Sequence, residues 1–539
     1  MSALTPQHIN DFHALLPAEE VIGPSSPLYK DNTLCWAYQK DLKPALVLCP
    51  TSLPSLQATL KYLSNSELDF AIRSGGCGSS SAKDVILSMS AFNDFTFNAE
   101  EETVLVGAGQ TWGDIYRKME SLAPGFAVVG ARTPYVGVGG SILSGGISWL
   151  SHEFGLAADP QNMLDAQLVL LDGRVVWASE EPALLWALRG GGGNFGALVA
   201  VRLKCYQYTD SIYSGSIYFP IEALEQVSVA VSEFANRPSD PKMAMHVFLG
   251  GWESSEITGE PAKPPMSIMV YDAHGEAHGR SEQGFKWALN IPGAVDETST
   301  MTLRAVGDLQ EVVRPMFGAL HSHLAASIVQ DIDPDFLLRA WNWLHTAIHT
   351  DSRLGAGTFV LLEIMQEKAF GSAGANDSTA WPHSSSRHIL QLLTGFAPGS
   401  GCSDELALKL LETAPGEISS GRHVDGDYFP NFLNGYMQLG KVELAGLNKE
   451  DVLIITGQDY PTTFSHEIYG IVTKVGADAR GLAEGDCVVG FSFDRFATFQ
   501  RTSAYLLRKV KAGENVAEML TLLMAYSGAL HALTTLGDA

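Results

Sequence analysis

Long apolar segments are what this chain most plainly lacks. No run of residues is long and apolar enough to span a bilayer as a helix, so no membrane partner is expected. The first twenty residues, MSALTPQHINDFHALLPAEE, lack a basic region and an apolar core. They do not read as a secretory signal, and a cytoplasmic location is expected. Basic residues are scarce: Lys and Arg number 35 against 60 Asp and Glu, a formal charge of −25. Such a surface repels nucleic acid and anionic lipid. Cysteine is sparse too. Cys35, Cys49, Cys77, Cys205, Cys402 and Cys487 are scattered, with no CxxC pair. Neither a zinc knuckle nor a disulfide framework is indicated. No internal repeat is evident.

Glycine is the opposite case. There are 53, and they cluster. The first forty or so residues have weak periodicity and read as an arm, residues 1–43. From Pro44 the pattern is strand, helix, strand, and the second strand runs into "RSGGCGSSS". A helix follows Thr111, with Asp114 in its first turn. "VGVGGSILSGGISWLS" is a second glycine-rich segment. "MLDAQLVLLDGRVVWAS" reads as a hairpin turning at Asp172-Gly173. A helix, "PALLWALR", then leads into "GGGGNFG" and a strand. Strand-like runs and a helix over Asp335–His349 continue the mixed pattern beyond Thr209. "QEKAFGSAGANDSTAWPHSSSR" reads as a surface loop. From about Leu439 short strands separated by Gly turns suggest a small β-rich barrel.

The spacing of Gly191 to Gly196 fits GxGxxG, but the context does not. A dinucleotide fingerprint follows a strand and opens a helix, whereas here a helix precedes and a strand follows. Three glycine loops in one unit nevertheless exceed what tight turns need. Backbone amides in such loops form nests for anions. Loops converging on one long ligand would bind a pyrophosphate without lysine. The residues by themselves therefore point to a large phosphorylated cofactor.

"RSGG", "VGVGGSILSGGISWLS" and "WALRGGGGNFG" together resemble the FAD-linked oxidases of the vanillyl-alcohol oxidase type. The resemblance is strongest to the berberine-bridge-enzyme-like branch with its PCMH-type FAD-binding domain. It implies an α+β chain: a two-subdomain FAD-binding fold over 44–208, then an α/β substrate domain over 209–438. By motif it implies FAD contacts at Arg73, Ser74, Gly75, Gly76, Cys77, Gly78, Val136, Gly137, Gly139 and Gly140. Gly145, Gly146, Ser151, Gly155, Asn194 and Gly196 complete that set.

Several positions depart from the family pattern. Cys77 stands where many relatives carry a histidine bonded covalently to the flavin, so a histidyl link is excluded here. Three readings of Cys77 stand side by side: a cysteinyl thioether, a small residue beside non-covalent FAD, or a mark of a domain drifting out of use. Non-covalent FAD is the expected state. The loop that holds a second covalent cysteine in some relatives reads "GARTPYVG", with Arg132 and no cysteine. "GLAADPQN" replaces the usual Gly-Leu-x-x-Asp-Asn, and Phe432 follows Asn431 where a tyrosine is usual. Tyr428 and Tyr436 are weak catalytic candidates, and the base is unassigned. His345 and His349 have metal-ligand spacing without a third ligand, which favours a half-buried helix face.

The segment 439–539 resembles the start of the enoyl-reductase domain, of the medium-chain reductase type, in fungal highly reducing polyketide synthases. That implies a truncated GroES-like unit without its NADPH-binding half. His466-Glu467 stands where alcohol dehydrogenases have a zinc-ligand pair. The reductase relatives do not use zinc, and no metal is expected. The resemblances imply oxidation of a small, polyketide-derived secondary metabolite, with O2 or another acceptor and a polyketide synthase in the functional neighbourhood. The rival is a relic fusion, or two neighbouring genes joined, that binds FAD without turnover.

Overall fold

The computed structural model describes residues 4–78, 80–193, 195–250, 263–329, 331–365, 379–381 and 388–420, and strand segments at 440–445, 467–472, 486–491 and 507–509. Two compact units result: residues 1–180 with 185–433, and residues 434–539 with 181–184.

The first unit opens with a small sheet of β1 (Val21–Ile22), β2 (Leu46–Leu48), β3 (Phe70–Arg73) and β4 (Val85–Ser88), in the order β1-β2-β4-β3. β2 and β3 both lie parallel to β4, as the intervening helix Leu53–Ser64 requires. Ser52 caps that helix, and its buried face carries Leu56, Leu60 and Leu63. A second sheet joins β5 (Phe95–Asn98), β6 (Thr103–Gly107), β8 (Met163–Val169), β9 (Val175–Trp177) and β10 (Ala197–Gln207), in the order β5-β6-β10-β8-β9. β7 (Phe126–Val128) pairs with the end of β10. β8 and β9 form the hairpin expected around Asp172-Gly173. The helix Trp112–Leu122 begins where the sequence placed it. Thr111 and Asp114 exchange side-chain and backbone hydrogen bonds in a capping box.

The expected arm, residues 1–43, is folded into the unit from residue 4 onward. The helix Pro6–Leu15 is capped by Thr5, with His8 closing the box in place of the usual Glu or Gln. Phe12 is fully buried among Leu56, Leu60, Leu63 and Val85. β1 adds an antiparallel edge to β2, and Trp36 stacks on Tyr135 at 5.7 Å between ring centres. The elements are short, which is why periodicity missed them. Phe12→Ala should destabilise the unit by about 3–5 kcal/mol, measured by urea unfolding. An arm would lose almost nothing.

A third sheet follows, antiparallel throughout: β11 (Ile212–Phe219), β12 (Met243–Leu249), β13 (Met266–Asp272), β14 (Val295–Met301), β15 (His321–Val329), β16 (Phe359–Ile364) and β17 (His388–Phe396). Its order is β14-β11-β13-β12-β16-β17-β15. The helices Leu224–Asn236, Phe336–Thr350 and Asp404–Ser419 pack together beside it. The stretch read as a surface loop also needs correction where it is described. Trp381 is buried, and its backbone N–H donates to the Arg189 carbonyl. Its indole lies so close to Gly145 that a Cβ there would come within 2.5 Å of it. Small polar residues around this tryptophan hid its role in the sequence.

Among its described residues the second unit shows four antiparallel strands, β18 (Gly440–Ala445), β19 (Glu467–Val472), β20 (Cys487–Phe491) and β21 (Leu507–Lys509), paired in that order.

Candidate functional site

β3 ends at Arg73 and releases the chain into Ser74-Gly75-Gly76-Cys77-Gly78. This loop lies directly on the second. A Cβ on Gly75 would sit 2.6 Å from the Gly137 nitrogen, and one on Gly137 would sit 2.3 Å from the Gly75 nitrogen. Only glycine at both positions permits that approach. Ser74 locks the pair: its Oγ donates to the Ala108 carbonyl at 2.7 Å and accepts from the Gly139 N–H at 3.3 Å. The Val136 carbonyl accepts from the Trp112 N–H at 2.9 Å, tying the loop to its helix.

The third loop is bonded to the second. The Gly192 N–H donates to the Leu143 carbonyl at 2.8 Å. Gly145, Gly146, Gly155 and Gly196 all hold positive φ. The N–H groups of Ala157 and Ala158 donate to the Gly146 and Gly145 carbonyls. Ser151 is fully buried, and its Oγ accepts from the Ser148 N–H. The "GLAADPQN" departure is absorbed locally. Asp159 accepts from the Leu156 N–H, and Asn162 donates to the Phe154 and Leu156 carbonyls. Asn194 lies outside the described residues.

Each loop also contributes one glycine facing open space. Gly78, Gly140 and Gly192 have no atom within 4 Å of where a Cβ would stand. Arg73, which leads into the first loop, is buried, 4% exposed. Its Nη2 donates to the Asp31 and Gly75 carbonyls, but its Nη1 is buried without a hydrogen-bond partner. Burial pushes its pKa below the usual guanidinium range. A buried cation without a carboxylate is strongly unfavourable unless an anion completes it. The residues present therefore fit a pyrophosphate-bearing cofactor.

Cys77 is half-buried, and its Sγ donates to the Tyr135 carbonyl at 3.5 Å. Burial pushes the thiol up to about 12, against the pull of Arg73 and Arg314. Thioether formation requires the thiolate. A flavin bound here should be released whole by acid, leaving a colourless protein pellet. A yellow pellet that turns colourless in Cys77→Ser would show a cysteinyl bond.

A second cluster forms where the Arg132 segment meets the third sheet. Arg132 Nη1 pairs with Glu363 Oε2, and Gln391 Nε2 donates to Glu363 Oε1. His246 lies opposite Glu363 in the β12–β16 register, its Nε2 3.9 Å from that carboxylate and without a hydrogen-bond partner. Its ring stacks on Trp149 at 4.1 Å, and Trp149 stacks on Tyr271 at 5.3 Å. The Tyr271 and Tyr208 hydroxyls are 2.8 Å apart, and Tyr208 donates to Glu153 at 2.5 Å. Burial raises the pKa of both phenols. Burial and Arg132 push His152 down to about 3 and lower His246 as well, so both rings are neutral. Burial pushes Glu363 up to about 7, against the pull of Arg132. A carboxylate poised near neutrality, fixed by two donors, is equipped to exchange a proton with a ligand.

The sequence reading named Arg132 but missed Glu363, His246 and Gln391. The signal was there: Glu363 and His246 are the lone polar residues of the apolar strands "FVLLEI" and "MAMHVFL", and Gln391 interrupts the apolar run inside "HILQLLTGF". Tyr428, Tyr436, Asn431 and Phe432 lie outside the described residues, as do His466 and the Glu467 side chain. The rings of His345 and His349 are 4.0 Å apart on the helix Phe336–Thr350.

Comparison with known proteins matches residues 44–179 to an FAD binding domain and residues 439–527 to an alcohol dehydrogenase GroES-like domain. The chain is similar to the FAD-dependent monooxygenase tpcD of Cochliobolus heterostrophus, 31% identical over 290 residues, covering 52% of this chain and 54% of that protein. It is 33% identical over 215 residues to the bifunctional solanapyrone synthase of Alternaria solani, covering 38% of this chain and 41% of that one. The matches thus span about half the length of these relatives, or less. Among solved structures, a berberine bridge enzyme variant in complex with (S)-reticuline superposes with a TM-score of 0.66. It is 17% identical and covers 80% of this chain and 89% of that one. A 6-hydroxy-D-nicotine oxidase from Arthrobacter nicotinovorans gives 0.63, at 22% identity, over 78% of this chain and 90% of that one.

Proposed function

Because this chain carries an FAD-binding domain in a berberine-bridge-enzyme-like fold, with a GroES-like domain behind it, we propose that it oxidises a small secondary metabolite with Glu363 as the base. The observation that carries this is the buried Arg132–Glu363 pair, with its carboxylate poised near neutrality. FAD, when bound, supplies the hydride acceptor and passes the electrons to molecular oxygen. Arg73 and the backbone of the three glycine loops would hold its pyrophosphate. Glu363 takes the proton that the substrate's hydroxyl releases as the adjacent C–H is oxidised. Gln391 and Arg132 fix the carboxylate, and the aromatic stack of His246, Trp149 and Tyr271 excludes water. A polyketide-type substrate is supported by the resemblance of residues 439–539 to a polyketide-synthase reductase.

The test is anaerobic mixing of the purified holoprotein with a panel of polyketide alcohols and phenols. Bleaching of the flavin band by one class supports the reading; bound flavin that none of them reduces counts against it. The rate of bleaching should rise with pH through about 7, because the base acts only when Glu363 has lost its proton.

A further inference from the structure

We infer that Asp240, His274 and His278 form a divalent transition-metal site, of the zinc class, at the open end of the β12–β13 pair. Asp240 lies just before β12, while His274 and His278 lie just after β13, His278 on the short helix Glu276–Gly279. One ligand atom from each of the three comes within 4.8 Å of the others. His274 Nε2 already stands 3.0 Å from the Asp240 carboxylate, and the two imidazole rings are 4.4 Å apart. Tetrahedral zinc with ligand bonds of about 2.0–2.1 Å needs donors about 3.3 Å apart. Small rotations of three partly exposed side chains bring them there, with a fourth position left for water.

What marks this as a built site is Asp272. It is fully buried at the end of β13. One of its carboxylate oxygens accepts from the His274 backbone N–H at 2.9 Å, and the other lies 2.7 Å from His278 Nδ1. A carboxylate on Nδ1–H fixes the tautomer, so the Nε2 lone pair is left for a metal. Gly275, at φ +92°, turns the chain between the two histidines. Gly279 lets Tyr213 pack beneath them, where a Cβ would lie 2.1 Å from its ring. A cation, Arg237, stands near: its guanidinium lies over the Phe234 ring and donates to the Gln283 carbonyl, while its charge acts on Asp240 and Asp272, so it competes with a metal for the same carboxylates without bonding to either. The site offers two imidazoles, one ligand carboxylate and one supporting carboxylate, a set that suits Zn2+ over Mg2+ or Ca2+. Bound metal would staple the strand ends before β12 and after β13.

The experiment titrates zinc into the metal-stripped full-length holoprotein, in a His345→Gln/His349→Gln/His323→Gln background that removes one other histidine pair and breaks up the His321–His323–Asp404 group. Calorimetry should give one equivalent of saturable binding, and the melting temperature should rise by about 2–4 °C. His278→Gln should abolish both effects, and Asp272→Asn should weaken binding about 10- to 100-fold. Cobalt in place of zinc should give the visible bands of a four-coordinate ion. Absence of saturable binding, or binding unchanged in His278→Gln and Asp240→Asn, overturns the inference.

Discussion

Glu363→Gln should slow substrate-driven flavin reduction by about 10²- to 10⁴-fold while the protein keeps its flavin. The amide retains the shape and the hydrogen bond from Gln391, but it cannot take a proton. The glycine loops are untouched, so flavin content separates a lost base from a lost cofactor site. The wild-type rise in rate through about pH 7 should flatten in the variant. The substitution also leaves Arg132 without its counter-charge in a buried position, at a cost of about 3–5 kcal/mol. Glu363→Gln/Arg132→Met removes both charges; it should recover stability without recovering rate. The pKa shift has a stability sign as well. Glu363 is raised in the fold, so burial favours its protonated form. That contribution is complete below the ordinary 4.5 and is lost as pH climbs through about 7.

Arg73→Met should weaken FAD binding by about 10- to 150-fold, the range expected for one charge-assisted hydrogen bond. The unpartnered Nη1 is the reason: in the protein alone this buried guanidinium hydrogen-bonds only to carbonyls, and Asp41 acts on it without pairing directly. Replacing it with an apolar side chain of similar length removes an uncompensated charge. The flavin-free variant should therefore melt no lower than the flavin-free parent. Lower affinity with undiminished apo stability assigns Arg73 to the ligand. Equal flavin affinity would assign it to the fold.

The glycine loops were legible because glycine clusters have few other uses, and their mutual contact follows from the missing side chains at Gly75 and Gly137. The helix after Thr111 was legible because its cap is written within four residues. The base was not. Glu363, His246 and Gln391 are far apart in sequence, and strand pairing alone makes them neighbours. Each looked like a stray polar residue in an apolar run. The N-terminal helix escaped notice because His8 fills a role that pattern reading assigns to Glu or Gln. Trp381 escaped because the residues around it are typical of loops.

The most direct measurement is the visible spectrum of Gly140→Val beside that of the parent, with the melting curves of both flavin-free proteins. Gly140 is exposed, and a Cβ there would meet no atom within 4 Å outside its own helix turn. Valine at this position occupies only the space assigned to the cofactor. The account predicts a yellow parent whose flavin is released by acid, and a colourless variant with an unchanged apo melting temperature. A folded variant that still carries one flavin per chain would contradict it.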